Sequence, residues 1–197
     1  FHLACDATDG AAVLRLKERK RRPHKPLAVM VSDVGELRRH CRVTAAEEAV
    51  LTSPEHPIVL LEWREMDAAG VPGPEVGAAA TRTVEEPAAG SARRVPVDPE
   101  VAVGQRYLGV MLPYTPLHIL LLEECGRPLV MTSGNLAEEP MVKDRGEMRR
   151  LDGIADAYLV HDRPIAERCD DSVVQVRRGR PRLVRRARGY APFPVPL

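Results

Sequence analysis

The chain has 197 residues, a length that suits one large domain or two small ones. Hydrophobic residues make up 44% of it, enough for a sizeable core. The 29 Lys+Arg nearly cancel the 28 Asp+Glu, so a global polycation or polyanion is excluded and phosphate binding must come from local clusters. No apolar run approaches the ~18 residues of a membrane-spanning helix. The opening FHLACDATDG carries neither the basic start nor the apolar stretch of a signal peptide.

In chain order, residues 9–22 read as a helix, with Asp9 as cap, Leu16 on the apolar face and Pro23 ending it. LAVMV at 27–31 is a short strand. Ser32 and Asp33 cap a helix that carries Val34, Leu37 and Cys41 on one face, and Thr44 with Glu47 forms a capping box for a helix over 44–52. PIVLLEW at 57–63 is a buried strand. Residues 66–100 hold 8 Ala, 4 Gly and 5 Pro and few large apolar residues, which predicts a long mobile loop inserted within one domain. YLGVML at 107–112 is a strand. Thr115, Pro116 and Gly126 frame a helix over LHILLLEEC, and PLVMT at 128–132 is a strand running into Ser133-Gly134-Asn135. Asp144 with Glu147 caps another helix, and AYLVH at 157–161 reads as a strand. SVVQV at 172–176 and RLVRR at 182–186 flank a hairpin turn, and the Pro-rich 190–197 is an extended linker. Strands alternating with helices, plus a terminal hairpin, predict an α/β domain with a mixed sheet and flanking helices over 1–197.

Cys5, Cys41, Cys125 and Cys169 form no CxxC pair, so structural zinc has little support; they read as reduced, mostly core thiols, with the cytoplasm as the default compartment. Four clusters carry possible chemistry. Arg15, Lys17, Arg19, Lys20, Arg21, Arg22 and Lys25 fall within eleven residues at a helix end, where they either grip a polyphosphate or simply complement the helix dipole. Ser133-Gly134-Asn135 ends a strand, where α/β sheets gather ligands, and is equally good turn composition. Arg168-Cys169-Asp170-Asp171-Ser172 is either a carboxylate pair or a turn, and the arginines of 177–188 are either an anion grip or a protected sheet edge. His118 is a conceivable general base without an evident partner in sequence.

Taken together, FHLACDAT, RRPHKPLAVMV, LGVMLPYTPLHILLL, MTSGN, RCDDSVV and RRARGYAPFP resemble the YrdC-like domain of the HypF carbamoyltransferases. The resemblance covers nearly the whole chain outside 66–100. It implies a twisted mixed β-sheet with a concave basic cavity, and ATP-dependent conversion of the carbamoyl group of carbamoyl phosphate to carbamoyl-adenylate. It implies ATP with Mg²⁺ carried on its phosphates, with no metal ligand in the chain. A downstream carbamoyl-transfer domain of the same polypeptide would then pass the group to the C-terminal cysteine of HypE, for the cyanide ligands of [NiFe]-hydrogenase. The family's KxR element falls on Lys20-Arg21-Arg22 and its SxN element on Ser133-Gly134-Asn135. The resemblance thus implies Lys20, Arg22, Ser133 and Asn135 as catalytic residues, with Lys25, Thr115, His118, Asp171, Ser172, Arg185 and Arg186 completing the nucleotide and carbamoyl site. Threonine-using members carry Arg where this chain has Met111, which favours a neutral carbamoyl group over an amino-acid carboxylate. The family's domain begins with a strand and a glycine-rich segment ahead of FHLACDA, so the chain reads as N-terminally truncated. A double-stranded RNA-binding module and an inactive scaffold fragment stand as alternatives.

Overall fold

The computed structural model describes residues 1–64 and 96–194. Eight strands form one mixed sheet: β1 (His2–Asp6), β2 (Ala28–Met30), β3 (Cys41–Arg42), β4 (Ile58–Trp63), β5 (Tyr107–Met111), β6 (Leu129–Ser133), β7 (Val173–Arg177) and β8 (Arg180–Arg185). Their spatial order is β1-β6-β2-β5-β4-β7-β8, and β3 pairs with the end of β4. The β2–β5 and β4–β7 pairs are parallel and the others antiparallel. Among the described residues four α-helices flank the sheet: α1 (Gly10–Arg19), α2 (Val34–His40), α3 (Ala45–Leu51) and α4 (Pro116–Cys125).

The apolar runs of the sequence are explained by burial on both sheet faces. Alternate residues go to opposite cores. Val29, Val59, Leu61, Leu108, Val110 and Val130 pack beneath α1, α2 and α3 with Val13, Leu16, Leu37 and Leu51. Met30, Ile58, Met111, Leu129 and Met131 point the other way, against Leu122 of α4. Met111 is therefore a core residue beneath α4.

Helix boundaries follow their caps. Asp9 accepts from the N–H groups of Ala11 and Ala12, Thr44 and Glu47 close the capping box of α3, and Thr115 accepts from the N–H of His118. α1 stops at Arg19, three residues before the expected end, because Lys20 is its C-cap and Arg21 takes a left-handed φ of 56°. Cys41 leaves the helical face expected for it and enters β3, where it pairs with Trp63. Residues 145–151 form a 3-10 helix rather than an α-helix, on the Asp144 cap read from sequence. The strand expected at 157–161 does not form; these residues are exposed and irregular.

Of the loop expected over 66–100, residues 66–95 lie outside the described residues. Its end is ordered: Val97 is buried, and Pro99–Ala102 is a 3-10 helix whose Val101 joins the core. The start of the expected linker at 190–197 is not extended. Tyr190 and Ala191 both donate to Ala187 O, and Arg186 donates to Tyr190 O and Phe193 O; residues 195–197 lie outside the described residues. All four cysteines are free thiols. Cys41 is buried and Cys5 and Cys125 are half-buried, but Cys169 is exposed, against the core expectation. No described helix is long and apolar enough to cross a membrane.

Candidate active site

Lys20, the C-cap of α1, turns its side chain completely inward, with 0% of the residue exposed. Its ammonium donates to Ser133 O (2.5 Å), Asn135 O (2.7 Å) and Asn135 Oδ1 (3.2 Å). Ser133 Oγ donates to the same Asn135 Oδ1 (2.6 Å), and Asn135 Nδ2 donates to Glu139 O (2.6 Å). The Lys, Ser and Asn read from sequence as two separate motifs thus form one knot. The ammonium meets only neutral oxygens. Burial, and then the charge of Arg22, pull its pKa down to about 8. The half-buried Arg22 keeps a buried Nε with no hydrogen-bond partner.

Gly134 is what lets the knot close. A Cβ there would lie 2.7 Å from Phe1 O, the acceptor of the Gly134 N–H. This contact ties the knot to β1, whose His2 is the register partner of Ser133. FHLACD carries no local strand signal of its own.

His2 opens a second cluster. Its Nε2 lies 3.3 Å from Asp171 Oδ2, and its ring is 5.8 Å from that of His118 and 6.4 Å from that of Tyr114. Tyr114 stands edge-on to His118 at 4.5 Å, and the Arg188 guanidinium covers the Tyr114 ring at 3.8 Å. Arg188 also pairs with Asp171 Oδ1 (2.9 Å) and donates to Glu55 O and His56 O. Hydrogen bonds and charge from His2 and Arg188 outweigh burial and hold the Asp171 carboxyl below its ordinary pKa. Burial and the neighbouring His2 push His118 down to about 4, and its Nδ1 has no partner.

A cavity of about 930 Å³ opens beside these groups. His2, Tyr114, Thr115, His118 and Arg188 line it, and its walls carry Arg15, Arg19, Lys143, Arg163, Arg168 and Arg188 against the carboxylates Asp156 and Glu167. Lys20, Arg22, Ser133 and Asn135 do not line it themselves. The Lys20–Ser133–Asn135 knot is joined to the cavity wall through His2 and through Val142, whose N–H donates to Gly134 O.

The remaining expected residues divide. Ser172 is buried and structural, donating to Arg188 O and accepting from Ala187 N–H. Arg185 and Arg186 are exposed: Arg185 donates to Asp171 O and Arg186 to the tail, and neither lines the cavity. Lys25 is exposed and away from the cavity wall. Of the arginines of 177–188, Arg188 lines the cavity, and the sequence signal for it is the Arg-Gly pair: a Cβ on Gly189 (φ 84°) would lie 2.5 Å from Glu55 O. Tyr114 and His2 gave no signal beyond their aromatic character. Among the described residues no group of three or more His, Cys, Asp or Glu is placed to hold a metal.

The family model for Sua5, YciO and YrdC proteins, described as "Telomere recombination", matches residues 1–89 and 75–187. The chain belongs to the Sua5/YciO/YrdC family. Carbamoyltransferase HypF of Synechocystis sp. is 44% identical over the whole of this chain and 22% of the relative. Threonylcarbamoyl-AMP synthase of Xanthomonas euvesicatoria pv. vesicatoria is 34% identical over 78% of this chain and 72% of the relative. A crystal structure of full-length HypF in its phosphate- and nucleotide-bound form superposes with a TM-score of 0.79 at 42% identity, over 98% of this chain and 26% of that one. The expected YrdC-like mixed sheet with flanking helices is therefore borne out, as is the resemblance to HypF. The chain spans about a fifth of the length of the HypF relatives it matches.

Proposed function

We propose that this chain is the carbamoyl-adenylating unit of a HypF-type carbamoyltransferase. The observation that carries the reading is its 42% identity, over 98% of its length, to a HypF that was crystallised with nucleotide and phosphate. The Lys20–Ser133–Asn135 knot and the cation-rich cavity support it.

In this reading carbamoyl phosphate, on losing its phosphoryl group to water, supplies carbamate. A carbamate oxygen bonds to the α-phosphorus of ATP, the bond from that phosphorus to the bridging β-oxygen breaks, and pyrophosphate leaves with the electron pair. No protein nucleophile takes part. The chain positions the reactants and stabilises charge.

Arg15, Arg19 and Arg163 bring positive charge to the cavity, and Arg22, outside its lining, adds to the positive field beside Lys20. The Lys20 ammonium, with three acceptors already, fixes the 133–135 turn and adds positive field behind it. His118, neutral at pH 7, lines the cavity with its Nδ1 buried and unengaged, and Thr115 holds the start of its helix. Mg²⁺ would ride on the nucleotide phosphates and supply charge neutralisation there. Lys25, Arg185 and Arg186 are left without a role in this site. Delivery to the C-terminal cysteine of HypE, through a further domain of the polypeptide, belongs to the same reading.

Pyrophosphate exchange into ATP tests it, with and without carbamoyl phosphate, on this chain and on one extended upstream. Exchange that requires carbamoyl phosphate is expected. Silence from both folded chains would remove the adenylation reading. Exchange with threonine and bicarbonate in place of carbamoyl phosphate would move the chain to threonylcarbamoyl chemistry.

A further inference from the structure

We propose that the open face of the β7–β8 hairpin is a second anion site, for a compact polyphosphate, free or as the tail of a nucleotide. The register places Arg177 directly across from Arg180, and Gln175 across from Arg182. Residues opposite each other or two apart share a face, so three guanidinium groups and one amide stand together. Arg178 joins them from the turn, where its φ of 53° matches the hairpin geometry. With Tyr107 at the start of β5, these residues line a groove of about 760 Å³, within the range of small-molecule sites.

Like charges directly opposite in an antiparallel pair destabilise it. Here the conflict is left unrelieved: among the described residues none of Arg177, Arg178, Arg180 and Arg182 has a carboxylate partner. Arg177 donates only to Gln175 Oε1, and the nearby Glu62 is engaged by Arg106. A local rule broken without internal compensation marks a place where an outside group completes the structure. All four cations are arginine, whose planar fork grips phosphate oxygens in pairs, and a groove confined to one short hairpin suits a compact ligand better than an extended acidic surface. The groove is separate from the candidate active site. β5 runs from Tyr107 away toward Tyr114, and β7 from Asp171 toward Arg177, which puts about 15 Å of strand between the two sites.

The test is calorimetric titration of tripolyphosphate into this chain and into Arg180→Gln/Arg182→Gln. The wild type is expected to show two binding events, one of them weakened at least tenfold in the variant, the loss that follows from removing a charge-assisted hydrogen bond. The same titration with ATP separates the sources: an equal loss assigns a nucleotide tail, and a loss confined to tripolyphosphate assigns the free anion. Arg177→Gln should raise the thermal midpoint without ligand and reduce the rise produced by tripolyphosphate. Identical titrations of wild type and variant would overturn the site, and polyglutamate binding as tightly as tripolyphosphate would overturn the choice of phosphate.

Discussion

Lys20 places a protonated amine among oxygens that carry no formal charge, and that has consequences for pH. Its folded-state pKa of about 8 lies below the ordinary 10.5. Between these values the unfolded chain holds a proton that the folded chain has released, so the contribution of this group to stability rises with pH across that window. Urea midpoints at pH 7.5 and 10 should therefore climb more in the wild type than in Lys20→Met; parallel profiles would refute the assignment. The same substitution strands Ser133 O and Asn135 O without their donor, a loss of about 1–3 kcal/mol, and should abolish the exchange reaction. His118 behaves alike on the acid side. With a folded pKa of about 4 against 6.5, it costs stability progressively as pH falls from 6.5 to 4, and His118→Phe should flatten that limb of a stability–pH curve.

At the scale of elements, the caps and the close approaches set the site. Thr115 starts α4 and lines the cavity, so Thr115→Ala should lose about 1 kcal/mol in chemical denaturation and Thr115→Ser should recover most of it. Gly134→Ala forces its new methyl against Phe1 O and should cost about 1–3 kcal/mol, with weakened β1–β6 pairing visible as faster amide exchange at β1. Elements with local signals were legible in the sequence: the caps at Asp9, Asp33, Thr44 and Thr115, and the two-faced apolar strands β2, β4, β5 and β6. β1 was not, because HLACD alternates weakly and becomes a strand only by pairing with β6, more than a hundred residues away. AYLVH shows the converse: strand-like composition that pairs with no strand of the sheet stays irregular.

At the scale of the molecule, the site draws on segments from both ends of the chain. The knot was legible as two motifs, Lys20-Arg21-Arg22 and Ser133-Gly134-Asn135, but not as one object, since their joining depends on where α1 stops. The His2–Tyr114–Asp171–Arg188 cluster was legible only in part. Asp171 stood out, whereas Arg188 was hidden among six other arginines, and only the fold distinguishes it from Arg185 and Arg186. Ligand binding should couple these distant segments. ATP with carbamoyl phosphate should raise the thermal midpoint of the wild type and leave that of Arg188→Ala unmoved, and equal shifts would detach Arg188 from the site.

The sheet order also dictates a timetable. His2 is made 131 residues before Ser133 and finds this partner only when Ser133 has been made. At synthesis speeds of about 5–20 residues per second, β1 waits roughly 6–26 s on the ribosome with an unsatisfied strand edge. Asp171 and Arg188 arrive later still, so the cluster around His2 closes only after residue 188 is made. A nascent chain halted just before Arg188 already carries every described strand of the sheet, yet its His2–Asp171 cluster lacks the guanidinium that covers Tyr114.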